Sequence, residues 1–218
     1  MGSPPAELAP DDPSGRGLVP APVRGQLLDQ PETASAAAVG IGVRADGLLQ
    51  TEGYARAVMR SAPVLPPVEE MERRLSIRMK RQERVLERSD PPMMWCILNE
   101  AVIRRPVGGA QAMQDQLQRL IQLSERSHVT LQVLPFSAGV HPAMDGGFTI
   151  LSFHKMSDPD TVYVEYWQGN VYLEDSREVD AYVLLFDHLR ARALGPDQTR
   201  SLIEQVIREM RVDGEVFP

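Results

Sequence analysis

Residues 68–88 place Val68, Met71, Leu75, Met79 and Leu86 at three-, four- and seven-residue steps, and Ser89-Asp90-Pro91-Pro92 ends the pattern abruptly. That spacing predicts one apolar face along a long helix. Directly after it comes Met93-Met94-Trp95-Cys96-Ile97-Leu98, a continuous apolar run, bounded by proline and Asn99, that is too short for a buried helix and predicts a buried strand. A long amphipathic helix feeding a buried strand requires a layered structure in which helices cover a sheet.

The remaining elements fit that frame. Leu48, Leu49, Tyr54, Ala55 and Val58 share a helical face after a start at Gln50 or Thr51, and Pro63, Pro66 and Pro67 close it. Glu100 to Arg105 has no clear period. Gly108-Gly109 leads into a helix from about Ala110 to Glu125, and Val129–Leu134 alternates as a strand closed by Pro135. A polar loop, Phe136 to Gly147, precedes strands at Phe148–Phe153, Thr161–Tyr166 and Val171–Leu173, the last two joined by a turn at Gln168-Gly169-Asn170. Helices from Ser176 to about Leu194 and from Asp197 to Met210 follow, separated by Gly195-Pro196. The expected architecture is α+β, a mixed sheet of about five strands covered by amphipathic helices. Residues 1–24, rich in proline and glycine, read as a disordered tail, and residues 25–46 as a weakly helical connecting segment built on Leu27, Leu28 and Ala34 to Ala38. The α+β domain is expected over residues 47–212.

Charge and cysteine content narrow the function classes. A net charge of −7 opposes phosphate backbones, so direct nucleic-acid binding would need a local basic stripe acting within a Debye length of about 8 Å. The basic residues of 68–88 do not make one, because glutamates interleave them; Glu70 and Arg74, for example, have the i,i+4 order of a solvated, salt-bridged face. The single cysteine, Cys96, sits in the apolar run and packs as a small hydrophobe, which fits a reducing, cytoplasmic compartment. No apolar run approaches bilayer-spanning length, and no export signal is apparent.

A resemblance emerges from four blocks in order: Gly47-Leu48-Leu49-Gln50-Thr51-Glu52-Gly53-Tyr54-Ala55-Arg56-Ala57-Val58-Met59-Arg60; Trp95 to Gly109; Val129 to Gly139; and His141-Pro142 with Gly146 to Thr149, followed by Val162 to Glu165. Together they resemble the C-terminal domain of unknown function of actinobacterial Xre-type helix-turn-helix regulators, the antitoxin-like, WhiJ-like group. The resemblance implies a domain that binds a partner or an effector beside a DNA-reading module, with no catalytic residues to transfer. Asp46 stands where family members usually carry a proline, and residues 1–46 do not read as a helix-turn-helix.

Candidate site residues fall into three groups. Arg104 and Arg105 precede Gly108-Gly109 and a helix start, an arrangement in which guanidiniums and open helix amides can hold an anion; the alternative is a structural turn. Trp95, Tyr163 and Trp167 can line an apolar ligand cavity or fill the core. His141 and Asp145 in the loop, with Glu165 on a later strand, would supply a base and an acid if folding brings them to one cleft; otherwise they stabilise a loop and pair with an arginine. His128, His141, His154 and His188 are scattered without ligand spacing, so no metal and no cofactor is expected.

Two functions follow. The first is a non-catalytic module binding a small-molecule effector or a small regulatory protein, acting without a DNA-binding domain of its own and open to oligomer formation. The second is a cofactor-independent cyclase or isomerase of specialised metabolism that uses His141, Asp145 or Glu165 to move protons.

Overall fold

The computed structural model describes the backbone over residues 34–39, 46–153, 159–166 and 169–213. The tail expected over residues 1–24, and most of the segment 25–46, lie outside the described residues. The elements run β1 (Ala34–Val39), α1 (Glu52–Arg60), α2 (Val68–Leu86), β2 (Met93–Asn99), α3 (Glu100–Arg104), α4 (Gly109–Ser124), β3 (Val129–Leu134), β4 (Phe148–Phe153), β5 (Thr161–Tyr166), β6 (Gly169–Leu173), α5 (Ser176–Arg192) and α6 (Pro196–Asp213). Two short 3-10 turns, Phe136–Ala138 and Pro142–Asp145, punctuate the loop between β3 and β4.

The α+β class holds, and all five expected strands form. They do not make one continuous five-stranded sheet. β2 and β3 are a parallel pair, and β4, β5 and β6 an antiparallel meander. What joins the two is β1, parallel to β2 on one side and antiparallel to β4 on the other, giving the order β3-β2-β1-β4-β5-β6. The alanine-rich stretch expected to be weakly helical is therefore the central strand. Alanine's helix preference is a fraction of a kilocalorie per residue, and two flanking ladders that pair the backbone on both edges override it.

Alternation along the strands divides the core into two layers. Met94, Cys96 and Leu98 of β2 and Leu131 and Val133 of β3 pack under α1, α4 and α6, together with Leu49, Tyr54, Met113 and Leu117. Ile97, Phe148, Ile150 and Val162 point the other way and pack against Val179, Phe186 and Leu189 of α5. The outer edge of β3 is closed by the chain between α5 and α6. Leu194 N–H donates to the Val133 carbonyl at 2.9 Å, Val133 N–H donates to Thr199 Oγ1 at 2.9 Å, and Gln132 Nε2 donates to the Leu194 carbonyl at 2.9 Å. No helix among the described residues is long and apolar enough to cross a membrane.

Candidate functional site

The turn Gly47-Leu48-Leu49-Gln50-Thr51, which leads into α1, is gripped from two sides. Asp46 starts it by accepting Leu48 N–H on Oδ1 at 2.8 Å, and Leu49 N–H on its carbonyl at 2.9 Å. From α2, Gln82 Nε2 donates to the carbonyls of Gly47 at 2.7 Å and Gln50 at 2.8 Å, while Arg78 donates to Gln50 Oε1 at 2.6 Å. From α4, Gln116 Nε2 donates to the Leu49 carbonyl at 2.9 Å, and its Oε1 accepts Thr51 N–H at 2.7 Å. Thr51 then caps α1 by accepting Tyr54 N–H. Buried glutamines replace apolar residues at these core positions because a buried turn exposes backbone groups that must be paired.

Strand register sets Cys96, Val39, Thr149, Tyr163 and Tyr172 opposite one another in a row across β2, β1, β4, β5 and β6. The row crosses at the last residue of β1, where its neighbours change from parallel to antiparallel; ligands of open sheets gather at such carboxyl ends. Val162 belongs to the layer under α5, so Tyr163 and Glu165, which alternate with it, face the opposite side, shared with Cys96. The Tyr163 and Tyr172 rings lie 5.2 Å apart at 50°.

Charge gathers over this row. Burial raises the Tyr163 hydroxyl above the ordinary phenol range and the Glu165 carboxylate raises it further, against the Arg81 guanidinium and a hydrogen bond with Asn170; Asp46 adds to the rise. Burial, with a smaller push from Asp46, also drives the Cys96 thiol upward, so it stays protonated and is no nucleophile. Arg81 on α2 carries a buried Nε without a hydrogen-bond partner. The Tyr163 hydroxyl thus feels one guanidinium, two carboxylates and an amide beside the Tyr172 ring.

A family model described as a domain of unknown function, DUF5753, matches residues 32–205, most of the chain. The chain belongs to this family. No match is found among curated proteins or among solved structures.

The other candidate residues of this DUF5753 domain fall elsewhere. Trp95 lies on the α5 side of the sheet, its Nε1 donating to Gln132 Oε1 at 2.6 Å and its ring 4.8 Å from the Arg190 guanidinium. Trp95 and Tyr163 therefore do not line a common cavity. Trp167 and His154 are outside the described residues. His141 is buried on the α5 side with Nδ1 unpartnered, and burial, reinforced by Arg192, depresses its proton affinity. Asp145 is exposed at the end of the second 3-10 turn. Glu165 acts on Tyr163 across the sheet from His141, so the structure does not assemble these three into one acid–base site. Among the described residues no cluster of three or more metal-ligating side chains occurs.

Arg104 is held within the fold: Nε donates to Glu100 Oε1 at 2.6 Å and Nη1 to Glu209 Oε2 at 3.0 Å. The buried Glu100 also accepts Phe136 N–H at 2.7 Å, tying α3 to the β3–β4 loop. Arg105 is exposed. The glycine turn beyond them serves packing. A Cβ on Gly108, at φ +76°, would stand 2.9 Å from Ala57 Cβ and 3.0 Å from Ala112 Cβ, so only glycine lets α1 and α4 meet there. The shallow cleft beside it, about 500 Å³, is lined by Gly53, Arg56, Ala57, Arg60, Gly108 and Ala112, and Arg56 is already paired with Glu52 and Glu72.

Sequence reasoning set Arg81 aside with the other basic residues of 68–88 as part of a solvated face, and did not single out Asp46 or Asn170 as candidates. For Arg81 a signal exists: the inward stripe of α2 turns polar at Gln82, buried between Leu75 and Val85, which marks the flank where Arg78 and Arg81 leave the core.

Proposed function

We propose that this domain is a non-catalytic effector-binding module, related to the sensing parts of actinobacterial Xre-type helix-turn-helix regulators, and that its ligand seats on the Thr149–Tyr163–Tyr172 row beneath Arg81. The observation that carries the reading is the buried Arg81 Nε, a cationic donor without an acceptor, whose charge reaches Tyr163. A buried donor left unmet costs about 1–3 kcal/mol, and an arriving acceptor would recover that cost. The protonated Cys96 thiol and the separation of His141 from Glu165 support binding rather than turnover.

The test is to purify the protein from native extract, denature it and identify released small molecules by mass spectrometry, beside the Tyr163→Ala variant. The reading expects a compound retained by the wild type and depleted in the variant. Equal retention, or none by either protein, would contradict it.

A further inference from the structure

Between α1 and α2 runs Pro63-Val64-Leu65-Pro66-Pro67-Val68, six apolar residues in succession, none of them used by the effector seat. Val64 is 83% exposed, Leu65 56% and Val68 70%; Pro63 and Pro67 are also exposed, and only Pro66 is half-buried. None belongs to either layer of the core. Apolar residues scattered singly are ordinary on a surface, but an unbroken exposed run is a place that another molecule covers.

The run is fixed at both ends. α1 stops before it, where Ser61 Oγ donates to the Val58 carbonyl at 2.8 Å, and α2 starts from it, where Met71 N–H donates to the Pro67 carbonyl at 3.0 Å. Prolines 63, 66 and 67 hold φ at about −65° and push Ala62, Leu65 and Pro66, the residues before them, out of the helical region. Pro67 stands at φ −50° and ψ 147°, close to polyproline II geometry. With three residues per turn, that geometry sets Pro63 and Pro66 on one side. Little freedom is left for a partner to remove on binding.

Proline and charge together select the partner. Three of the six residues lack an N–H, so the run cannot join a sheet as an added strand; it can offer its rings and the Val64 and Leu65 side chains to aromatic faces. Arg60, three residues before Pro63, is exposed and has no ion pair or hydrogen bond among the described residues, since Glu52 and Glu72 hold Arg56 instead. Glu69 is exposed at the other end, and Glu70 is taken up by Arg73 and Arg74. We propose that this connection docks into the aromatic-lined, proline-recognising groove of a partner protein, with Arg60 on an acidic rim of that groove and Glu69 directed away from it.

The experiment is an NMR titration of the isotope-labelled full chain with an isolated SH3 domain whose groove is lined by Tyr and Trp and rimmed by carboxylates. Binding should saturate, with shifts gathered on residues 60–68. Leu65→Asp should weaken it about tenfold or more; Arg60→Gln should weaken it several-fold, and Arg60→Lys less. Ile77→Ser, at an exposed apolar residue further along α2, should leave it unchanged. Arg60 is exposed and outside the core, so the comparison of its two variants stands even if Leu65→Asp perturbs folding. No saturable binding, shifts gathered elsewhere, or affinity indifferent to both Leu65 and Arg60 would overturn the assignment. A dimer seen by analytical ultracentrifugation and broken by Leu65→Asp would also overturn it, because a second copy would then be what covers the run.

Discussion

The side chain of Gln116 closes both ends of one buried peptide turn: its Oε1 accepts Thr51 N–H at 2.7 Å while its Nε2 donates to the Leu49 carbonyl at 2.9 Å. Gln116 is fully buried, so water cannot replace either bond. Gln116→Leu keeps the volume but leaves a buried donor and a buried acceptor unmet, for an expected loss of about 2–4 kcal/mol in urea unfolding. Gln111→Leu, on the exposed face of the same helix, should stay within about 0.5 kcal/mol of wild type. Equal effects would show that the clamp is not what holds the turn.

Gly108 and Gly109 separate crowding from backbone strain. Both have positive φ, at +76° and +86°, but a Cβ at Gly109 meets nothing within 4 Å, whereas at Gly108 it collides with Ala57 and Ala112. Gly109→Ala should cost about 1–2 kcal/mol from left-handed backbone alone. Gly108→Ala should cost about 2–4 kcal/mol, because α1 and α4 must also part. Thermal melts of the two variants would check the order, and a reversed order would refute the packing explanation.

Trp95 is expected to matter for stability and not for ligand. Trp95→Phe leaves Gln132 Oε1 without its donor and puts a smaller, weaker ring face beneath Arg190, for a loss of about 1–3 kcal/mol. Retention of a bound compound should be unchanged by mass spectrometry of the purified variant. Loss of the compound with an intact fold would move the site to the α5 side of the sheet.

His141 and His128 set an acid limit. Burial lowers the folded-state proton affinity of both below the ordinary value of 6.5, with Arg192 assisting at His141 and Arg126 at His128. Unfolded chains therefore bind these protons first as pH falls, so the stability present above about pH 6.5 is lost progressively below it. His141→Gln should flatten the slope of unfolding free energy as pH falls below about 6.5. An unchanged slope would remove His141 from the explanation.

Legibility in the sequence tracked how local the cause was. The stripe through Met71 and Leu75, the Pro91-Pro92 stop and the short run Met94–Leu98 are local signals, and α2 and β2 form where they predict. Ala34–Val39 is a strand because of β2 and β4 on either side, partners distant in sequence that no local pattern displays. The site shows the same divide. Tyr163 and Glu165 were legible as strand residues on one face, but their separation from His141 and Trp95 depends on which side α5 packs. The turn after Asp46 is likewise held by Gln82 of α2 and Gln116 of α4, partners distant in sequence.

The effector seat is tested most directly by thermal melting of wild type and Tyr163→Ala with and without the small-molecule fraction of native extract. A ligand that binds only the folded state at about one hundred times its Kd stabilises by about 2.7 kcal/mol. The account predicts that the fraction raises the wild-type Tm by several degrees and leaves the variant unmoved. An equal rise in both proteins, or no rise in either, would contradict it.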